Sequence, residues 1–400
     1  MALNPSDSSR SGANPEIALL ALAAGLGVAN LYYAQPLAAL MASSLALSAS
    51  QIGSCLTACQ LGYALAMLLL VPLGDGRERR GLMLQTALAT SASALLLAIA
   101  PNYPVLLLAS ALLGFSSCLP QMAVPFAVAL AKPEQRGRAI GTVMSGLLTG
   151  ILLSRTASGF LAAAIGWRGT FVAAALAMAA LALALRARLS VQYPPEPLPW
   201  GRVVRSLPGI LLSQPLLVRH GLIGAFGFAS FSVFWATLSF QLAELGRGPS
   251  TAGLYGVLGL VGIAVASFVG RHGQRWRPTR INAIGLVSLA LAFAVAALAP
   301  RSLVALALAA VLLDAGMQGS HLTNQTVIFG LQPELRNRIN AIYMVSFFIG
   351  GASGTAAASL AWELAHWNGV CTVGGGFALL GLLPIAWSTP WSARELPTTA

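Results

Sequence analysis

Residues 312–325 read LLDAGMQGSHLTNQ. Asp314, Gln318, His321 and Gln325 follow one another at intervals of four, three and four. At 3.6 residues per turn they stack on one helix face, with Asn324 beside them. Burial disfavours an ionised carboxylate, which makes Asp314 the candidate proton carrier. His321 titrates near neutrality when unperturbed and can share that proton; it can equally serve as a neutral hydrogen-bonding packer. A second charged residue, Arg155, sits in the apolar run LLSRTASG. Arginine does not shed its proton, so Arg155 needs a partner. Asp314, an anionic group on a ligand, and local carbonyls with Ser154 or Thr156 are the three options. No H-E-x-x-H, no G-x-x-x-x-G-K-[ST] and no zinc-like Cys/His spacing occurs, so neither metal, nor other cofactor, nor ATP chemistry is expected. Cys55 and Cys59 share a face as small packing residues.

The elements that must hold these groups follow from composition. The 400 residues are 57% hydrophobic and 8% charged, far below the roughly 25% charged residues of a soluble domain. Too few polar side chains remain to cover a surface in water, and a bilayer is the alternative solvent. A spanning helix needs about 20 apolar residues. Twelve such runs are present, at 17–41, 52–73, 82–100, 104–131, 139–163, 169–187, 216–243, 252–270, 281–299, 303–330, 339–363 and 369–388. The expected fold is all-α and integral to the membrane, with the first run retained as a helix. Asp314 lies roughly 16 Å past Leu303 at helical rise, near the midplane. There an ionisable side chain is costly and marks a pathway. Its polar stripe cannot face lipid.

The net charge of +12 is a topology signal. With both termini cytoplasmic, all basic residues except Arg155, Arg168, Arg247 and Arg301 fall on the inner side. They recur loop by loop and form no single basic face, which argues against nucleic acid as a partner.

The chain repeats itself. PEQRGRAIGTVMSGLLTG from Pro133 parallels PELRNRINAIYMVSFFIG from Pro333. Glu134 pairs with Glu334, Arg136 with Arg336, Arg138 with Arg338, Gly150 with Gly350 and Trp167 with Trp367, always 200 residues apart. Two six-helix units are expected, residues 1–187 and 216–400, joined by a polar, proline-rich cytoplasmic linker over 188–215. Parallel six-helix repeats around a central site are a transporter layout.

The loop after the second span reads VPLGDGRERRG, 71–81. It resembles the cytoplasmic loop signature of the major facilitator superfamily, roughly G-x-L-x-D-R-x-G-R-[RK]. Leu73, Asp75, Arg79 and Arg80 match, whereas Val71, Gly76 and Glu78 depart. The second copy, GRHGQRWRPTR at 270–280, has Gln274 where Asp75 maps. NLYYAQPLA at 30–38 and GRAIGTVMSGLLTGILLSRTASG at 137–159 also resemble a bacterial subgroup of presumed exporters. Gly146, Gly150 and Gly159 echo an antiporter motif of span five, without its proline.

The resemblance implies alternating access around a cavity lined by spans one, four, seven and ten. The lining candidates are Asn30, Tyr33 and Gln35 with Tyr32, then Gln121, then Phe231 and Trp235 with Phe226 and Phe234, then Gln318, Asn324 and Gln325, with Arg155 from span five. It implies a latch on the cytoplasmic side built from Asp75, Arg79 and Arg80; Arg136, Arg138, Arg336 and Arg338 join it as gate candidates. The expected protein is a monomeric, multi-pass secondary transporter of the bacterial cytoplasmic membrane. It would move a small organic molecule by proton-driven efflux, or alternatively import one with protons. An intramembrane enzyme or a sensor is the rival class, but the spans hold no nucleophile–base set and the linker leaves no room for an output domain.

Overall fold

The computed structural model describes residues 14–194 and 198–386. The side chain of Asp75 lies outside the described ones. Helices dominate, and among the described residues there is no strand. Span one is α1 (Pro15–Ala29) and α2 (Ala38–Leu45), joined by a short 3₁₀ turn, Gln35–Leu37. Spans two and three are α3 (Ala49–Leu69) and α4 (Arg79–Ala98). Span four is α5 (Tyr103–Ser116) plus α6 (Leu119–Leu130), and spans five and six run together as α7 (Arg136–Arg188). The linker carries its own helix, α8 (Trp200–Ser213). Span seven is α9 (Pro215–Glu244), span eight α10 (Pro249–Val257) plus α11 (Leu260–His272), span nine α12 (Pro278–Leu298), and span ten α13 (Leu303–Phe329). Spans eleven and twelve form α14 (Arg336–Leu380), followed by the short α15 (Leu383–Ala386).

Nine stretches of the described residues are long and apolar enough to cross a membrane. Two of these, built on α7 and α14, are double. Span one, split into short pieces, completes the twelve. The double helices break at matching places. Gly166 has φ 73° inside α7, and His366, 200 residues on, has φ 48° inside α14. A left-handed histidine costs roughly 1–2 kcal/mol where glycine costs nothing. The His366 Nδ1 to Glu244 Oε1 contact of 3.1 Å ties that strained turn to the end of α9.

Local chemistry starts the helices. Asn14 accepts from the Glu16 N–H, Asn102 from Val105, and Ser302 from Ala305. Ser48 and Gln51 form a reciprocal capping box at α3. Pro15, Pro104, Pro215, Pro249 and Pro278 occupy first turns, where a missing N–H costs nothing.

Packing rests on small residues. Gly146 and Gly150 of α7 lie against the carbonyls of Ala21 and Gly25 on α1; Gly350 and Gly354 of α14 lie against those of Ala225 and Ala229 on α9. Both are small-xxx-small seams in which only a hydrogen fits between backbones. The halves meet along two further seams, α3 on α14 and α7 on α10.

Candidate functional site

Three of the helices that face the centre are interrupted there. Span one unwinds at 30–34, span four between Ser116 and Leu119, and span eight between Val257 and Leu260. In span eight the backbone tightens to i→i−3 bonds, Leu258 N to Tyr255 O and Gly259 N to Gly256 O, both 3.1 Å. Interrupted helices at membrane depth are tolerated where they line a cavity or are buried in protein.

Arg155 projects from α7 into this region and is 3% exposed. Its Nε donates to Gln35 Oε1 at 2.8 Å. Its guanidinium carbon lies 4.2 Å from the ring centre of Trp235, 4.7 Å from Tyr32 and 5.7 Å from Phe231. Desolvated cation–π contacts of this kind contribute up to about 2 kcal/mol. Within the protein, neither Asp314 nor local carbonyls supply its contacts: the arginine bonds an amide of span one and aromatic faces of spans one and seven. Nη2 is left without a partner.

Asp314 is 4% exposed and enters no ion pair among the described residues; its Oδ2 is buried without a hydrogen bond. Both charges line the interrupted span eight. A Cβ placed on Gly256 would lie 2.8 Å from Arg155 Cβ; one on Gly259 would lie 3.2 Å from Leu152 Cδ1 and 3.6 Å from Asp314 Oδ1. Leu152 is one turn before Arg155 on α7, so Gly256–Gly259 forms a wall common to the arginine of one half and the aspartate of the other. Among the described residues no hydrogen bond or ion pair joins the two charges.

The rest of the α13 stripe divides. Gln318 packs toward Gly262 of α11. His321 turns toward α14, with Nδ1 2.9 Å from Tyr343 Oη and its ring 4.6 Å from that of Phe347. Gln325 is half-buried. Asn324 corrects the expectation of a cavity-facing amide. It is fully buried, and its Oδ1 meets His220 Nδ1 at 2.7 Å and Asn282 Nδ2 at 2.9 Å. It lies about 60° beyond the edge of the stripe by helical geometry, which turns it into the packing of α9, α12 and α13. On the other candidate spans, Asn30 bonds its own helix at Leu26 O, Tyr33 is half-buried, and Gln121 reaches Tyr63 Oη at 3.4 Å. Phe234 packs away from the centre on Phe293 and Trp367, and Phe226 on Phe377.

At the arginine-rich end the gate candidates make several contacts. Arg80 Nη1 donates to Leu189 O at 3.3 Å, Arg336 Nε to Phe329 O at 3.2 Å, and Arg338 Nη1 reaches Ser206 Oγ of the linker helix at 3.4 Å. Arg136 and Arg138 are exposed. Arg79 donates its backbone N–H to Gln192 O, and Glu78, not expected in any role, caps α4 through the N–H groups of Arg80 and Gly81 at 2.7 and 2.6 Å.

The opposite end is joined. Glu363 Oε1 accepts from the Ser50 N–H at 2.9 Å and Gly53 abuts Ser359, while deeper, towards the arginine side, Tyr63 meets Phe348 at 4.5 Å between ring centres. Thr156 Oγ1 donates to Gly253 O at 2.9 Å. Glu363 thus holds the positive start of α3 from across the halves. Glu363→Gln is expected to raise the labelling rate of a cysteine introduced at Ser359 by an impermeant thiol reagent about 2- to 5-fold, the range of one carboxylate–helix interaction. An unchanged rate would show that this contact does not hold the end closed.

Several central residues carried no signal used above. Tyr343, Phe347 and Phe348 read as ordinary apolar positions of span eleven. The break in span eight was legible in principle: Gly253, Gly256, Gly259 and Gly262 recur every third residue, a run that weakens a helix and admits close neighbours.

Known proteins resemble this chain along nearly its whole length. The family model described as Major Facilitator Superfamily matches residues 17–355. A putative uncharacterized transporter of Escherichia coli K12, YgaY, is 40% identical over 92% of this chain and 94% of its own. A probable transporter of Streptomyces coelicolor, SCO4007, is 33% identical over 94% and 89% respectively. Among solved structures, a bacterial homologue of the human lysosomal transporter Spinster, inward-facing and occupied, superposes with a TM-score of 0.74 at 16% identity, covering 97% of this chain and all of that one. The peptide transporter POT in complex with sulfate gives 0.75 at 16% identity over 97% and 96%. At such identities the structures speak for the fold alone.

Proposed function

The chain belongs to the Major Facilitator Superfamily, and we propose that it is a proton-driven secondary transporter that exports a small organic molecule by alternating access. It is a multi-pass membrane protein of transporter type; direction, coupling ion, a monomeric state and a cytoplasmic-membrane location with both termini inside belong to the proposal. The observation that carries it is Asp314. It is a buried carboxylate with one oxygen unbonded, at mid-depth in α13, beside the gap between the two halves. An isolated buried charge is costly, so this group exchanges a proton or a ligand as its surroundings change. Halves joined through Glu363 and Ser50 at the end opposite the arginines support a motion that exposes Asp314 to the two sides in turn. With the arginine-rich end cytoplasmic, the state open to that side is the one in which an exporter collects its cargo. His321, held by Tyr343, is a second proton site. Gln35, Gln121, Gln318 and Gln325 supply polar contacts to the cargo, and Asp75 with the arginine pairs supplies the cytoplasmic gate of the opposite state.

The test is flux in proteoliposomes or cells with and without a proton gradient, for wild type and Asp314→Asn, over a panel of antimicrobials, sugars, amino acids and nucleosides. Gradient-driven efflux by wild type that falls at least ~100-fold in Asp314→Asn is the expected result. Gradient-driven accumulation would make the protein an importer. Equal flux in both proteins would sink the coupling role of Asp314.

A further inference from the structure

Among the described residues, the buried polar atoms without hydrogen-bond partners at the centre include Arg155 Nη2, Trp235 Nε1 and Asp314 Oδ2, with Asn30 Oδ1 a further acceptor at the break of span one. Arg155, Trp235 and Asp314 are 3%, 3% and 4% exposed. The first two are donors and lie together, since the guanidinium of Arg155 stacks 4.2 Å from the Trp235 ring centre. The third is an acceptor and lies across the Gly256–Gly259 wall, where Gly259 approaches both Leu152 of the arginine's helix and Asp314 itself. One pole therefore offers two N–H groups and a permanent positive charge. The other offers a carboxylate oxygen.

Each alternative leaves a group unmatched. A buried charge without a partner is costly. A ligand carrying only a negative group would satisfy Arg155 and place a like charge near Asp314. A purely cationic ligand would serve Asp314 and leave the guanidinium and the indole N–H unbonded. A direct Arg155–Asp314 pair would satisfy both charges, yet Arg155 is held by Gln35 and three aromatic rings instead. A molecule with both groups matches all three atoms at once.

We infer that Arg155, Trp235 and Asp314 form the two poles of a binding site for a small zwitterion. Its carboxylate accepts from Arg155 Nη2 and Trp235 Nε1, and its ammonium donates to Asp314 Oδ2. This rests on the transport reading above and gives it a substrate class. It also supplies the exchange step: ammonium and proton compete for the same carboxylate oxygen, so loading one releases the other. The titratable and charged groups around Asp314 are Arg155 from α7 and Tyr32 from span one. His321, two turns along α13, turns to Tyr343 instead, α9 contributes the indole of Trp235, and α11 contributes glycine backbone.

The experiment uses the full-length protein in lipid nanodiscs and follows binding by thermal stabilisation and tryptophan fluorescence. The probes are leucine, phenylalanine, β-alanine and γ-aminobutyrate, each beside its amide and its N-acetyl derivative. At least one free zwitterion is expected to bind, and masking either end is expected to weaken binding at least 10-fold. These comparisons need no variant. In addition, Arg155→Gln is expected to erase the preference for a free carboxylate, and Asp314→Asn the preference for a free amine together with the pH dependence of binding. If no zwitterion binds, or an amide binds as well as its parent acid, the inference falls. The two readings fail separately. A non-zwitterion driven by the proton gradient through Asp314 would overturn the substrate class and keep the transport reading. A zwitterion that binds by both poles but is never moved by a gradient would do the reverse.

Discussion

Asp314→Leu is expected to cost the folded protein about 3 kcal/mol or more, and adding Arg155→Met is expected to return most of that loss. In the wild type the two charges face one wall of glycines. Removing the carboxylate leaves a guanidinium that is buried, cannot deprotonate and has only Gln35 and aromatic faces to hold it. Removing both leaves no buried charge, with the orphan donor Nη2 and the orphan acceptor Oδ2 gone together, and Gln35 and Trp235 Nε1 remaining as neutral polar groups. The measurement is a double-mutant cycle on detergent-solubilised protein, read as unfolding midpoint and yield of monodisperse material. Simple additivity would show that the charge of Arg155 is balanced elsewhere. Transport should be absent in all three variants, which separates the stability of the pair from its use.

Gly350→Leu is expected to prevent recovery of folded protein. A Cβ at Gly350 would run into the backbone of Ala225, and backbone on a packed helix seam cannot move aside as a side-chain tip does. Overpacking in a yielding core costs roughly 1–3 kcal/mol, and this site has no yielding neighbour. Gly150→Leu, the matching position in the first half, meets the backbone of Gly25 and should behave alike. Gly376→Leu is the control. It lies on the same double helix, α14, with open space around it, and should stay within about 0.5 kcal/mol of wild type. Normal yields of Gly350→Leu would mean that α9 and α14 are not packed as described.

The sequence by itself determined the solvent, the number of spans and their repetition. A chain with so few charges has no way to cover itself in water, and the 200-residue echo from Pro133 to Pro333 is a matter of residue identity alone. It also determined that Asp314 and Arg155 are buried charges, because depth in an apolar run follows from counting. Matching breaks at Gly166 and His366 obey the same repeat, although only one of them is a glycine.

The tertiary structure decided which charge meets which partner. Helical periodicity places Asn324 about 100° from Gln325 and off the stripe, but does not say what it meets there, which is His220 and Asn282. Periodicity also says nothing of what stands opposite. Arg155 could not be assigned to Gln35, Tyr32 and Trp235 until spans one, five and seven had been placed against one another. Span eight packs closely against both charges through Gly256 and Gly259, where a larger side chain would collide with its neighbours. Such approaches are set by helix packing distances, which side-chain volumes decide jointly across several helices and which no single stretch of sequence contains.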